Sequence, residues 1–147
     1  MGIKTKPQNN KIGNRIQQSQ GCISEQHPWF SFRYMTTNKQ FNIESCNPGD
    51  LETTLKCLFS RLEELSKRPW VYWTQKPKAN GLETMNYDEL NFTANAEISL
   101  AKDTTIYLFR FDTYQGSGKG RIIGFKSSPC SVLHIIGFDI GFNAYKH

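Results

Sequence analysis

The segment Gly116-Ser117-Gly118-Lys119-Gly120 puts three glycines and a lysine into five residues, a composition able to wrap a phosphate. A phosphate loop of the form GxxxxGK[ST] needs glycine at 113 and Ser or Thr at 120, where Thr113 and Gly120 stand. The run also leads into Arg121-Ile122-Ile123, a strand pattern, rather than into a helix whose free amides would hold the anion. It reads as a mobile hairpin loop carrying one lysine, not as a nucleotide site. His27, His134 and His147 are too dispersed to imply a metal site, and His134 lies in an apolar run that reads as core. Cysteines stand at 22, 46, 57 and 130 with no CxxC pair, which argues against a zinc ribbon or knuckle. Cys57 reads as a small core residue, and a thiol nucleophile among the four cysteines is the lesser alternative. Glu63-Glu64 reads as a solvated pair, and no Ser-His-Asp arrangement is legible.

Two further groups of residues suit nucleic acid. Trp70-Val71-Tyr72-Trp73 could form a base-stacking platform. Rings on consecutive positions cannot all face one groove, so a short buried helix is the favoured reading. Lys76 and Lys78 in a Pro-containing loop, Lys119 in the glycine loop and Lys126 after the next strand are candidate phosphate contacts.

These residues sit in a chain of 147 residues and 16.9 kDa, the size of one domain with a real core. Hydrophobic residues make up 37% and charged residues 21%, and no apolar stretch approaches the roughly 18 residues of a membrane span. The net charge of +5 comes largely from the N-terminus, where Lys4, Lys6, Lys11 and Arg15 face Glu25 alone. Residues 1–26 show no apolar period and many Asn, Gln and Ser, which reads as a flexible basic leader ahead of a single domain over 27–147. They lack the apolar segment of a secretory signal, so a cytoplasmic protein with reduced thiols is expected.

The domain opens with an aromatic strand, Trp29 to Met35, a turn at Thr36–Lys39, and Phe41-Asn42-Ile43, together predicting a hairpin. Asn47-Pro48 then starts the clearest helix, with Asp50 and Glu52 near its positive end. Leu51, Leu55, Leu58, Phe59, Leu62 and Leu65 form one apolar stripe, and Pro69 ends the helix. The stripe would suit a dimer seam, but packing on the domain's own sheet is the favoured reading. Residues 82–100 lack a clean period and read as irregular. Thr104–Phe111, Arg121–Phe125 and Val132–Asp139 predict an antiparallel meander whose last strand, apolar on both faces, lies centrally. The expected fold is α+β: an antiparallel sheet of about five strands with one main amphipathic helix packed on it.

This helix and meander, with Arg121-Ile122 and the ending Tyr145-Lys146-His147, resemble the RelE superfamily of toxin-type mRNA endonucleases over residues 50–147. The ending is also similar to that of a bacterial and phage group sharing Gly-Arg-Ile-Ile-Gly, Asp and Tyr-x-His. The chain departs from the superfamily in its greater length, its added N-terminal segment, and a Tyr-x-His order at the terminus. The resemblance implies a toxin–antitoxin role: metal-independent cleavage of ribosome-bound mRNA, with no cofactor and a cognate antitoxin as partner. Such cleavage needs a base for the 2′-hydroxyl, an acid for the leaving 5′-oxygen and a cation for the phosphorane. By the resemblance Arg121 would hold phosphate with help from Arg110, while Tyr145 or His147 would move protons. The structural alternative pairs Arg110 and Arg121 with acids such as Asp112 and Asp139. The rival function is a non-enzymatic phage or defence-associated protein that blocks a protein or nucleic-acid partner.

Overall fold

The computed structural model describes residues 26–127 and 132–145. Five strands, β1 (Trp29–Ser31), β2 (Leu82–Asn86), β3 (Thr105–Thr113), β4 (Gly116–Lys126) and β5 (Val132–Asp139), form one mixed sheet in the order β1-β5-β4-β3-β2. One main helix, α1 (Pro48–Ser66), packs on it, followed by the single-turn helix α2 (Trp70–Thr74). The fold class is therefore α+β. The leader expected over 1–26 lies, apart from Gln26, outside the described residues, as do Cys22 and Cys130.

The meander forms as its pattern dictates. β3 and β4 are antiparallel neighbours with Arg110 opposite Arg121, and β4 and β5 pair antiparallel with Arg121 opposite Asp139. The hairpin expected at residues 29–43 does not form. β1 instead lies parallel to β5, with Phe30 opposite Leu133. Asparagine chemistry explains the difference: the side chains of Asn38 and Asn42 accept the amides of Gln40 and Glu44, starting 3₁₀ turns at Lys39–Phe41 and Ile43–Ser45. Phe41 is then buried and stacked on Phe92 with ring centroids 4.5 Å apart. The segment expected to be irregular contains β2, which pairs antiparallel with β3. Its apolar Leu82 and Met85 are three residues apart, so no period of two was visible.

The sheet is covered on both faces. On one, Leu58, Leu62 and Leu65 of α1 and Trp70 and Trp73 of α2 pack on Phe109, Phe111, Ile122 and Ile135. On the other, Phe41, Phe92 and flanking loop residues pack on Ile106, Leu108, Ile123 and Ile136. This two-sided cover is why β5 is apolar on both faces. Trp70 and Trp73 are core residues, with the Trp73 Nε1–H donating to the Leu65 carbonyl at 3.0 Å, so neither offers a stacking surface. His27 is structural: its Nδ1–H donates to the Ser66 carbonyl at 2.7 Å, at the end of α1. Within the apolar stripe of α1, Phe59 departs from the expectation and is 65% exposed, and Cys57 is only half-buried.

Two expectations follow. Leu58→Ala should cost about 2–5 kcal/mol in chemical denaturation, because the site sits between two packed layers. The second concerns His134, stacked on Phe125 and near Tyr34, with the Ser127 hydroxyl 3.0 Å from Nε2 and no partner for Nδ1 among the described residues. Burial, then the charge of Arg33, lowers its pKa. The unfolded chain thus takes up this proton more readily, so its contribution to stability is complete above the ordinary histidine range and is lost as pH falls through it. Denaturant midpoints measured across that range should fall less steeply for His134→Gln than for the native chain.

Candidate functional site

β2 pairs with β3 only as far as Phe109, leaving residues 110–113 at an open sheet edge. Arg61 reaches across from α1 to cover it. Its Nε–H donates to the Arg110 carbonyl at 2.9 Å, Nη2–H to the Asn80 carbonyl at 2.9 Å, and Nη1 pairs with Glu64 at 2.8 Å. Between this helix flank and the β3–β4 turn lies a cleft of about 600 Å³. Lys56, Arg61, Arg110 and Lys119 line it, with Glu64 and Asp112 as its acidic residues and Cys57, Ser60 and Phe142 in its walls. The Asp112 carboxylate accepts the Gly118 amide at 2.8 Å, and the left-handed backbone of Gly118 (φ 64°) closes the turn that presents Lys119.

Beside the cleft, the chain after β5 folds back over the sheet. Arg121 is wholly buried and its Nη1–H donates to Asp139 Oδ2 at 2.9 Å. The two Asp139 oxygens also accept the amides of Asn143 and Ala144 at 2.9 and 3.0 Å. The guanidinium is sandwiched between Phe142, with its ring centroid 3.5 Å away, and Tyr145, at 4.2 Å. Phe142 adopts a left-handed backbone (φ 60°), a strained conformation for an aromatic residue, held by the carboxylate that fixes the two amides after it.

Arg110 stands directly across the ladder from Arg121 and differs from it in every respect that matters. Its side chain is 30% exposed, its Nη2 is 3.7 Å from Glu83 Oε2, and its buried Nε has no hydrogen-bond partner among the described residues. The Tyr145 hydroxyl donates to Glu83 Oε1 at 3.4 Å, and burial raises the pKa of that phenol. The Arg110 and Lys119 cations each lie within 6 Å of the Phe142 ring.

The structure thus brings together three of the residues picked out by sequence, Arg110, Arg121 and Tyr145, and places Lys119 with Arg110 on the cleft beside them. Arg121 realises the ion-pair alternative: enclosed by Asp139 and two rings, it has no path to a phosphate in this conformation. His147 lies outside the described residues. Lys76 stacks over Tyr72 at 4.6 Å, on the loop that carries Ala79 and Asn80 to the cleft rim, and Lys78 on that loop is exposed. Lys126 is elsewhere, some seven residues or about 23 Å along β4 from Lys119. It rests over the Trp70 and Tyr107 rings, and burial lowers its pKa. Glu83, Arg61 and Phe142 were not foreseen. Glu83 lay in a segment without a period, Arg61 read as a wet helix residue, and nothing local marks Phe142.

Among the described residues, no group of three or more His, Cys, Asp or Glu is placed to hold a metal ion, and no helix is long and apolar enough to cross a membrane. Comparison with protein-family models, curated proteins and solved structures returns no match to this chain.

Arg121→Ala should lower stability by about 3–5 kcal/mol, since it leaves the Asp139 carboxylate buried without its cation. Thermal and denaturant unfolding followed by circular dichroism will read this, and an unchanged midpoint would refute the structural role.

Proposed function

We propose that the chain is a nucleic-acid-binding protein that holds the phosphate backbone of single-stranded RNA in the cleft between α1 and the β3–β4 turn, and that acts by occupying its target. The observation that carries this reading is the gathering of the exposed Lys119 and Lys56 and the partly exposed side chain of Arg110 on one cleft beside the Phe142 ring. Cations that neutralise phosphates supply affinity, and an aromatic face gives a base a stacking surface without regard to sequence. Lys76 and Lys78 on the rim loop extend the positive track. The burial of Arg121 favours a blocking protein over a nuclease, because it withdraws one cation from phosphorane stabilisation.

One observation favours the endoribonuclease reading. Glu83, Tyr145 and Arg110 form a carboxylate–phenol–guanidinium cluster in which Glu83 Oε2 and Arg110 Nε lack hydrogen-bond partners among the described residues. In that reading the 2′-oxygen attacks phosphorus after losing its proton to Glu83, Arg110 holds the developing charge, and the 5′-oxygen leaves with a proton from a terminal residue such as His147.

Fluorescence anisotropy with a labelled single-stranded RNA separates these readings. The expected result is binding that weakens steeply with salt. Lys119→Ala should weaken it severalfold and reduce the magnitude of the salt slope by about 0.7, the contribution of one phosphate contact on a single strand. Intact RNA after long incubation supports the blocking protein. Products with a 2′,3′-cyclic phosphate that disappear in Glu83→Gln support the nuclease. Absence of binding at low salt would sink both.

A further inference from the structure

α1 carries a second exposed face that neither the core nor the cleft explains. Phe59 projects from it at 65% exposure, and Phe32 beside it is 50% exposed. A shallow apolar groove runs on each side of Phe59. One, of about 450 Å³, is formed by Pro48, Leu51 and Leu55; the other, of about 700 Å³, by Phe30, Phe32 and Leu62. An aromatic ridge between two apolar troughs is costly to leave in water.

The charges around this ridge are symmetrically arranged. Glu52 pairs with Lys56 at 2.7 Å and Glu63 with Lys67 at 3.0 Å, all four side chains being well exposed. At 100° per residue, Glu52, Lys56, Phe59, Glu63 and Lys67 fall within about 80° of helix rotation, so they share one face. Lys56 and Glu63 are equidistant from the midpoint between Phe59 and Ser60, and so are Glu52 and Lys67. A two-fold axis through that midpoint, with the helices antiparallel, sets Lys56 of each copy against Glu63 of the other and Glu52 against Lys67. A parallel pairing would set each of these charges against its own kind. The pattern is self-complementary in the way an isologous interface requires.

We propose that this face of α1 docks a second copy of the chain, as an antiparallel two-fold pair in which each Phe59 enters an apolar groove of the other copy. Lys56 and Ser60 also line the cleft, so the two clefts flank the same axis.

Sedimentation velocity of the full chain over a range of concentrations tests this. The wild-type chain is expected to dimerise reversibly. Phe59→Asp should raise the dimer dissociation constant by more than about a hundredfold, since it removes a buried ring from each copy and adds a charge. Its circular dichroism spectrum should be unchanged, because the side chain is exposed within the monomer. Lys56→Glu should weaken the dimer about tenfold, through two symmetry-related contacts. The double variant Lys56→Glu/Glu63→Lys should recover most of that loss, because the crosswise pairs are restored with their signs exchanged. A wild-type chain that stays monomeric at every concentration overturns the proposal, whether or not another protein covers the face. So does a dimer indifferent to Phe59→Asp. Failure of the double variant to recover overturns the antiparallel arrangement.

Discussion

The ion pair of Arg121 and Asp139 has no contact with water, and the end of the sheet is organised around it. Removing two charges from solvent costs several kcal/mol per ion, so such a pair persists only where hydrogen bonds and neighbouring groups offset that cost. Here the carboxylate takes the guanidinium and two backbone amides, and the guanidinium lies between two aromatic rings. The amides belong to Asn143 and Ala144, so the same carboxylate that neutralises Arg121 bends the chain after β5 back onto the sheet. Buried Ile140 and Ala144 complete that return. The left-handed turn at Phe142 is sustained by the geometry on either side of it.

This pair also settles the state of Arg110. Two guanidiniums directly opposite on an antiparallel ladder repel each other, and a sheet tolerates them only if one is neutralised nearby. Asp139 does so for Arg121. Among the described residues, the carboxylate paired with Arg110 is the more distant Glu83, at 3.7 Å, and the Arg110 side chain stays 30% exposed. One arginine of the pair is thereby committed to architecture, and the other stays partly exposed on the cleft.

The parts legible in the sequence were those set by local periodicity: α1 with its proline start, the three strands of the meander, and the central position of β5. Lys119 on the glycine turn and the arginines on β3 and β4 were also visible as types of residue. Their division of labour was not, because it depends on Asp139 facing Arg121 across a ladder whose register only the tertiary fold fixes. β1 was legible as a strand but not as the parallel neighbour of β5, a pairing made a hundred residues along the chain. β2 was hidden because its face is set by Glu83 and Met85, one charged and one apolar, so hydropathy carried no alternation. In the sequence Phe59 reads as core, since it shares the helix stripe with Leu58 and Leu62. Only the line of contact with the sheet shows that the stripe is wider than the core it serves.

The cleft itself originates in a mismatch of lengths. β3 runs four residues past its last partner in β2, from Arg110 to Thr113. An uncovered edge of this kind invites pairing with another chain, and proteins blunt such edges with charged side chains. Arg61 does this by bonding the Arg110 carbonyl directly, and Lys119 and Arg110 flank the same edge. Protection of the edge and a positive cleft are therefore one feature. Arg61 is committed to this cover, since two carbonyls and Glu64 already engage it. The exposed ammonium of Lys119, which no ion pair of the described residues engages, and the 30% exposed side chain of Arg110 are less committed to it. Both cations lie within 6 Å of the Phe142 ring, so the edge that Arg61 covers is flanked by a wall that is at once cationic and aromatic.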